Sequence, residues 1–310
     1  MYTDFEDYGW SSGTYCQKVY QGYTTKIEKD VVISTWQSIY KMPRKYFEHF
    51  GCVIGDEAHM FKAKSLTGIM TKLHQCKYRF GLTGTLDGSQ THKLVLEGLF
   101  GTAEKVVSTK ELIDKNTLAK LKIKCIVLKH PSIRERMDYA EEIDYLVSKE
   151  TRNKFILDLC KTISGNTLCL FQLVEKHGKI LYDGMKGGEN VYFVYGGTDT
   201  EQREKIRGLV EGHTKSTTIA SYGTFSTGIN IRNINNIVFA SPSKSKIRVL
   251  QSIGRGLRTS STKDSILIFD IADDISYGER RNFTLNHFFE RINIYNEEQF
   301  NYEISKVKIK

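Results

Sequence analysis

The chain has 310 residues, of which 40% are hydrophobic and 26% charged, and its formal net charge is +9. These values support two globular domains with real hydrophobic cores and exclude a chain too polar to fold. No apolar run approaches the length of a membrane span. The acidic, aromatic stretch Met1–Tyr8 has neither the basic region nor the apolar region of a signal peptide. We therefore expect a soluble protein of the cytoplasm.

The first half of the chain alternates predicted strands with predicted helices. The strands are expected at residues 31–37, 52–54, 78–85 and 122–128, and the helices at residues 44–50 and 66–73. Polar residues follow several of these strands. The alternation is typical of a parallel α/β sheet, in which ligands collect at the carboxyl ends of the strands.

The second half repeats this alternation as a further α/β unit. Its helices are expected at residues 152–163, 200–209 and within 283–300, and its strands at residues 167–171, 191–194, 217–221, 237–240 and 265–269. The stretch Pro131–Glu142 has the polarity of a linker. We expect a first domain at residues 1–130, a linker at 131–148 and a second domain at 149–310.

Two adjacent carboxylates, Asp56 and Glu57, follow one of the predicted strands in the sequence Asp-Glu-Ala-His. Carboxylates in this position can hold a hydrated Mg²⁺ and polarise a water against a γ-phosphate. An Asp-Glu pair after an apolar strand is common, and taken alone it more often has a structural role. Its interpretation therefore depends on the rest of the chain.

A second pattern lies near the other end, where Gln251 opens the stretch Gln-Ser-Ile-Gly-Arg-Gly-Leu-Arg. If the stretch is helical, Arg255 and Arg258 fall on one face, so that both guanidinium groups can reach the same phosphates. The alternative is a pair of surface arginines. Gly254 and Gly256 are poor helix formers, which favours a close approach of the backbone to a ligand.

The phosphate-binding loop Gly-x-x-x-x-Gly-Lys-Ser/Thr does not occur in the sequence. In ATPases the amides of this loop cradle the phosphates and its lysine neutralises them. The segment Gly223–Gly228 has the glycine spacing but continues with Ile229, so it lacks the lysine and the metal-binding hydroxyl. We expect the downstream part of an ATPase motor, whose phosphate-binding half domain is cut off or lies on another chain.

The interval between Glu211 and Asp264 contains no acidic residue. Its charge predicts attraction to phosphate backbones, with a solvated basic surface as the alternative. Its basic residues are Lys215, Arg232, Lys244, Lys246, Arg248, Arg255, Arg258 and Lys263. The six cysteines contain no Cys-x-x-Cys pair, so we expect buried free thiols and no zinc site.

These motifs stand in the order found in superfamily 2 nucleic-acid helicases of the DEAH type, and the chain resembles the tailed-phage UvsW type among them over nearly its whole length. The specificity lies in the order, because each motif alone is weak. The matching segments are Asp56–His59 (Walker B), Gly81–Thr85 (motif III), Phe171–Gln172 (motif IV), Ala220–Asn230 (motif V) and Gln251–Arg258 (motif VI). The resemblance implies two RecA-like parallel-sheet domains, the first N-terminally truncated.

The resemblance also implies ATP and Mg²⁺ as cofactors. Asp56 would hold Mg²⁺ through its water shell, and Glu57 would orient and deprotonate the attacking water. Arg255 and Arg258 would stabilise the charge of the transition state from the second domain. The other nucleotide-facing positions that it implies are Gly228 and Gln251.

Coupling and nucleic-acid contacts follow from the same resemblance. His59 with Thr83 or Thr85 would link the nucleotide state to the nucleic-acid side. Phosphate contacts would come from strand-end loops of both domains and would be largely independent of base sequence. The matching positions are Thr35, Gln37, Ser221, Tyr222 and Thr224. Trp36 is expected to lie in the core rather than to stack on a base.

These observations predict an ATP-dependent DNA helicase or translocase that remodels branched DNA or R-loops and needs an upstream phosphate-binding loop for hydrolysis. A phage-encoded chain would act in the host cytoplasm, without a membrane partner. One alternative is a non-hydrolysing nucleic-acid-binding module, which keeps the basic surfaces but lacks the loop. The other is one subunit of a split ATPase, completed by a partner that carries the loop.

Overall fold

The computed structural model describes residues 1–84, 86, 90–131, 137–228, 231–241, 245–258 and 263–310. The chain divides into two compact units, Met1–Glu104 and Lys105–Lys310, which we call unit 1 and unit 2. In the described residues no helix combines the length and the apolar character that crossing a membrane requires.

Unit 1 contains short helices and two small parallel sheets. Its elements are α1 (Tyr2–Asp7), α2 (Ser12–Tyr15), β1 (Cys16–Val19), β2 (Val31–Ser34), α3 (Trp36–Ile39), α4 (Arg44–Phe47), β3 (Cys52–Gly55), a 3₁₀ turn (Ala58–Lys62), α5 (Lys64–Lys72), β4 (Tyr78–Gly81) and α6 (Gln90–Phe100). Strand β1 pairs with β2, and β3 pairs with β4. Both pairs are parallel, as the sequence predicts.

The core of unit 1 lies around α5. This helix buries Leu66, Ile69 and Met70 on one face, as its apolar spacing predicts. Phe47 from α4 and Phe61 from the 3₁₀ turn pack into the same cluster. The core therefore lies on one side of β3 and β4 and fixes the turn that follows β3.

Unit 2 is a larger α/β domain. Its elements are α7 (Thr109–Asp114), β5 (Lys120–Lys129), α8 (Tyr139–Ser148), α9 (Glu150–Thr162), β6 (Asn166–Phe171), a π-helical turn (Val174–Gly178), α10 (Lys179–Met185), β7 (Val191–Val194), α11 (Thr200–Gly212), β8 (Ser216–Ser221), α12 (Tyr222–Gly228), β9 (Asn236–Phe239), α13 (Lys246–Gly256), β10 (Ser265–Asp274), α14 (Phe283–Glu297) and β11 (Tyr302–Lys308). In the described part of the chain its strands form one sheet in the order β11-β5-β10-β9-β6-β8-β7.

Helices cover both faces of this parallel sheet. Side chains of α11, α12, α13 and α14 fill one side, with Val249 and Phe288 among the buried residues. Side chains of α9 and α10 fill the other, with Ile156 and Leu181 among them. Fully buried strands such as β6 and β9 read as continuous apolar runs, which is why the sequence identified them. The predicted α/β class is confirmed.

The border between the units lies earlier than the sequence suggested. The strand expected to close the first domain is β5, and it lies inside the sheet of unit 2. It pairs with β10 in parallel, with Lys120 opposite Ser265 and Lys129 opposite Asp274. Strand periodicity reveals that β5 exists but not which sheet receives it, because its partners are far away in sequence.

The expected linker at residues 131–148 is also different in the structure. Residues 132–136 lie outside the described ranges, but α8 follows them as a regular helix with a capping box between Asp138 and Glu141. Within it Glu142 is buried and accepts hydrogen bonds from the backbone N–H groups of Phe283 and Thr284, at 2.9 and 2.6 Å. Glu142, one of the charged residues that suggested a linker, therefore caps the N-terminus of α14, which attracts a carboxylate.

Candidate functional site

The carboxylates Asp56 and Glu57 stand at the carboxyl end of β3, as predicted. Both are exposed. Glu57 has left-handed backbone geometry, with φ of 50°, which a non-glycine residue rarely adopts. One carboxylate oxygen of Asp56 accepts a hydrogen bond from the Glu57 N–H at 2.9 Å and so stabilises the sharp turn. The local fold turns both acidic side chains outward while the chain changes direction.

Gly55 and Gly81, at the ends of β3 and β4, let aromatic rings pack closely beside this turn. A Cβ on Gly55 would lie 2.8 Å from the Phe61 ring, and one on Gly81 would lie 2.9 Å from the Phe100 ring. Beyond the glycines, the Leu82 N–H donates to the Gly55 carbonyl at 2.8 Å. The strand ends are thus held together by backbone hydrogen bonds and by close packing against the aromatic rings.

His59 and Thr83 meet at the same strand ends. The Nδ1 atom of His59 lies 3.0 Å from Oγ1 of Thr83 and 3.3 Å from a carboxylate oxygen of Glu57. His59 is buried, whereas the Glu57 side chain is half exposed. A single imidazole therefore connects the carboxylate after β3 with the hydroxyl after β4. Thr85, the other residue predicted to couple, lies outside the described residues.

The donor set suits a hydrated magnesium ion. Mg²⁺ prefers oxygen ligands and is usually bound by one or two carboxylates together with waters and substrate phosphates. Asp56 and Glu57 offer such oxygens on an exposed loop. No group of three or more His, Cys, Asp or Glu side chains able to hold a metal occurs among the described residues.

The second predicted pattern forms only partly as expected. Arg255 lies in the last turn of α13, but the helix ends at Gly256 and Arg258 lies beyond the C-cap residue Leu257. The two guanidinium groups thus do not share a helix face. The Arg255 guanidinium carbon lies 5.8 Å from the centre of the buried Phe225 ring, within the range of a cation–π contact. Gln251 is partly buried one turn before Arg255.

One of the two glycines of this helix, Gly256, has a structural explanation that the sequence did not suggest. A Cβ on Gly256 would lie 2.2 Å from Ile266 and 2.8 Å from Ile237, so the helix end packs directly on the sheet. Lys263 donates to the carbonyl of Gly256, and burial lowers the pKa of this lysine to about 8. Gly254, by contrast, is exposed with open space around it. Close packing on the sheet, rather than backbone approach to a ligand, accounts for Gly256.

The predicted nucleic-acid residues of unit 1 lie at an exposed corner. Thr35 is the N-cap position of α3, and its hydroxyl lies 2.9 Å from that of Ser38. Gln37 is exposed in the same helix. The prediction that Trp36 lies in the core is wrong, because 39% of this residue is exposed and its ring meets that of Tyr40 edge to face. The short helix presents three neighbouring side chains to solvent.

The predicted nucleic-acid residues of unit 2 are buried. The Ser221 hydroxyl lies 2.8 Å from that of Thr224 and accepts from the Thr224 N–H, as an N-cap does. Tyr222 donates its hydroxyl to the Ser241 carbonyl at 2.9 Å, and burial raises its pKa. The Tyr222 side chain is therefore occupied inside the fold, contrary to the predicted phosphate contact. Gly228 ends α12.

Sequence reasoning missed a buried polar cluster in unit 2. The Asp273 carboxylate accepts hydrogen bonds from Arg152 Nε and His130 Nε2, both at 2.9 Å. Burial alone would raise the pKa of Asp273, but Arg152 and His130 lower it to about 2. His177 and Ser241 form a second pair at 2.9 Å. These residues are far apart in sequence, so only the buried Arg152 within an amphipathic helix could have hinted at a partner.

The free cysteines follow the prediction with one exception. Cys16, Cys76, Cys125, Cys160 and Cys169 are buried, but Cys52 at the start of β3 is exposed. The exception arises because β3 has one open face.

Two family models match the chain, and together they cover most of both units. "Type III restriction enzyme, res subunit" matches residues 1–88, and "Helicase conserved C-terminal domain" matches residues 141–260. The first match includes the Asp56–His59 turn, and the second includes α13 with Arg255. The chain belongs to the superfamily 2 helicases.

Within this family the chain is similar to the ATP-dependent DNA helicase uvsW of Enterobacteria phage T4. The two are 33% identical over 331 aligned residues, which cover 100% of this chain and 66% of that protein. The crystal structure of T4 UvsW matches with a TM-score of 0.53 and 32% identity, over 99% of this chain and 65% of that one. The chain thus spans about two thirds of the length of this relative.

More distant structures share the fold. S. cerevisiae Dbp5, solved with RNA and ADP BeF3, matches with a TM-score of 0.57 and 15% identity, over 95% of this chain and 70% of that one. At this identity the similarity concerns the fold alone.

Proposed function

We propose that this chain is the downstream part of an ATP-dependent DNA helicase or translocase that remodels branched DNA or R-loops. The observation that carries the proposal is the contact of Glu57, His59 and Thr83 at the ends of two parallel strands. The similarity to a phage DNA helicase supports DNA as the partner. Because the sequence contains no phosphate-binding loop, ATP hydrolysis would need a further segment that carries one.

Glu57 is the proposed general base. Its half-exposed carboxylate can orient a water and take its proton, and Asp56 can hold Mg²⁺ through water. The bound ion would neutralise charge on the phosphates. Arg255 and Arg258 are proposed to stabilise charge that develops in the transition state, with Gly228 and Gln251 also facing the nucleotide.

The contact between His59 and Thr83 suits a coupling role. A buried imidazole that touches both a catalytic carboxylate and the hydroxyl after the next strand can transmit a change at one to the other. Thr83 and Thr85 would carry this change to the nucleic-acid side. In the same proposal Thr35 and Gln37 contact nucleic-acid phosphates from the start of α3, as hydroxyl and amide side chains commonly do.

In unit 2 the phosphate contacts are proposed for Ser221 and Thr224, whose hydroxyls lie 2.8 Å apart at the first turn of α12. Tyr222 does not share this role, because its hydroxyl already donates to the Ser241 carbonyl. Contacts of this kind bind backbone rather than bases, so affinity should depend on salt more than on sequence.

An exposed apolar strip supports the need for a further segment. Ile54 and Phe80 are register partners on β3 and β4, and both point away from the core of unit 1. With Tyr78 and Leu82 they form a strip in which more than half of each residue is exposed. Apolar patches of this kind mark contact sites. We propose that the α/β segment with the phosphate-binding loop covers this strip.

The test is DNA-stimulated ATP hydrolysis by this chain, alone and joined to an upstream segment that carries a phosphate-binding loop. We expect turnover only in the joined protein, and its loss in the Glu57→Gln variant. Glu48→Gln, an exposed substitution on the C-cap of α4, is the matched control and should keep full activity. Turnover by the chain alone would refute the need for the loop.

A non-hydrolysing DNA-binding module is the second candidate, favoured by the missing loop and by the basic interval between Glu211 and Asp264. It predicts salt-dependent DNA binding without turnover in either form of the protein. A split ATPase would instead give turnover when the loop segment is added as a separate chain.

A further inference from the structure

Ser241, just after β9, is the centre of a buried cluster that no motif of the sequence predicts. Its hydroxyl accepts from the Gln172 N–H at 3.2 Å and lies 2.9 Å from His177 Nδ1. Its carbonyl accepts from the Tyr222 hydroxyl at 2.9 Å. Ser241 therefore joins the end of β6, the π-helical turn and the start of α12 at one point.

The residue before Ser241 is held from a further direction. Arg152 of α9 donates from Nη2 to the Ala240 carbonyl at 2.7 Å, and its Nε donates to Asp273. Arg152 and Asp273 are both fully buried. Breaking a buried ion pair is strongly unfavourable, so Asp273 holds Arg152 in place. Arg152 is therefore a fixed donor to the Ala240 carbonyl.

His177 completes the cluster as a neutral side chain. Burial, followed by the nearby Arg152 charge, lowers the pKa of His177 to about 3, although Asp273 opposes the shift. A neutral imidazole has one N–H and one bare nitrogen, so the tautomer of His177 sets the direction of its hydrogen bond with the Ser241 hydroxyl.

Helix α12 contains both Tyr222, which contacts Ser241, and Phe225, which contacts Arg255. Tyr222 begins the helix with its bond to Ser241, and Phe225 lies nearly one turn later. The buried Phe225 ring faces the guanidinium of Arg255. Phe225 thus links the first turn of α12, which Tyr222 bonds to Ser241, with the guanidinium of Arg255.

We propose that Tyr222 and Ser241 are positioning residues: they fix α12 so that Phe225 supports Arg255 of α13 in the orientation needed for its action on nucleotide phosphates. The proposal rests on the proposed function for the role of Arg255. The placement of α12 and α13 by the Tyr222–Ser241 contact can be measured without any turnover.

The test compares two matched variants, Tyr222→Phe and Tyr295→Phe. Both remove one hydroxyl from a fully buried tyrosine in the same core, since Tyr295 donates to Asp270 at 2.8 Å. Hydrogen exchange of the whole chain is then followed element by element. We expect exchange in α12 and α13 to rise about three- to ten-fold in Tyr222→Phe, the effect of losing one hydrogen bond. In Tyr295→Phe the rise should be confined to α14 and β10.

Faster exchange in α13 for both variants, or for neither, would overturn the positioning role. Ser241→Ala is a second variant, which removes the hydroxyl but keeps the carbonyl, and its effect on exchange in α13 should be smaller than that of Tyr222→Phe.

In the joined protein with turnover, Tyr222→Phe should lower kcat about three- to ten-fold with KM for ATP unchanged, whereas Tyr295→Phe should change neither. An unchanged kcat in Tyr222→Phe would also overturn the proposal. Absence of turnover in the parent would refute the proposed function but leave the exchange result to decide the positioning.

Discussion

Units 1 and 2 hold their polar residues in opposite ways. In unit 1, Asp56 and Glu57 are exposed on a turn that depends on one left-handed residue and a few backbone bonds. In unit 2, Arg152 and Asp273 are fully buried and form an ion pair, and each makes one further hydrogen bond, Arg152 to the Ala240 carbonyl and Asp273 with His130. Reactive groups must meet a substrate and stay accessible, whereas groups that position a helix gain from exclusion of water. The difference separates residues available for chemistry from residues that support it.

The largest effect should come from breaking the ion pair of unit 2. Asp273→Asn leaves the Arg152 charge buried without its partner, which should cost about 3–5 kcal/mol of unfolding free energy. The matched change Asp56→Asn, on the exposed turn, should cost less than about 0.5 kcal/mol. Both tryptophans, Trp10 and Trp36, lie in unit 1, so their fluorescence reports that unit during urea unfolding, and exchange of β10 reports unit 2. Equal losses of unfolding free energy in Asp273→Asn and Asp56→Asn would contradict the difference between the two units.

Acidification should weaken unit 2 through His177. Its pKa is about 3 in the folded protein and near 6.5 when unfolded, so between these values only the unfolded chain binds the proton. Stability should therefore fall with pH below about 6.5, by up to about 1.4 kcal/mol per pH unit. Urea titrations over this range give the slope. His177→Asn should flatten it, and His74→Asn, an exposed control in unit 1, should leave it unchanged.

Two adjacent glutamates of α8 offer a sharper comparison within one helix. Glu142→Gln weakens the acceptor for the N-terminus of α14 and should cost about 1–3 kcal/mol. Glu141→Gln changes only an exposed capping-box acceptor and should cost less than about 1 kcal/mol. Thermal unfolding of both variants measures the difference. A larger loss in Glu141→Gln would mean that the buried glutamate does not stabilise α14.

The smallest effect on stability is expected at the exposed strip of unit 1. Phe80→Ser should change the unfolding free energy by less than about 0.5 kcal/mol, because more than half of Phe80 is exposed and it lies outside the core of unit 1. The same change should reduce self-association, measured by light scattering, since it interrupts an apolar patch. It should also weaken binding of an added phosphate-loop segment. A large loss of stability would show that the strip is already covered.

The sequence was most informative where one local pattern decides the structure. The strand at Val191–Val194 and the contact of His59 with Thr83 follow from apolar runs and from motif order. It was least informative where distant partners decide. The place of β5, the capping by Glu142 and the burial of Tyr222 all depend on residues many positions away, and a charged or polar side chain looks the same in sequence whether it meets water or a buried partner.

The order of strands in unit 2 has a consequence for synthesis of the chain. Strand β5 lies between β10 and β11, so neither of its edges can pair until most of the following residues have left the ribosome. Until then β5 has open backbone groups, and its apolar second half, residues 125–128, can pair wrongly with other chains. Sheet closure is thus a late event, and a nascent chain paused before β10 should depend on chaperones or quick completion to avoid aggregation.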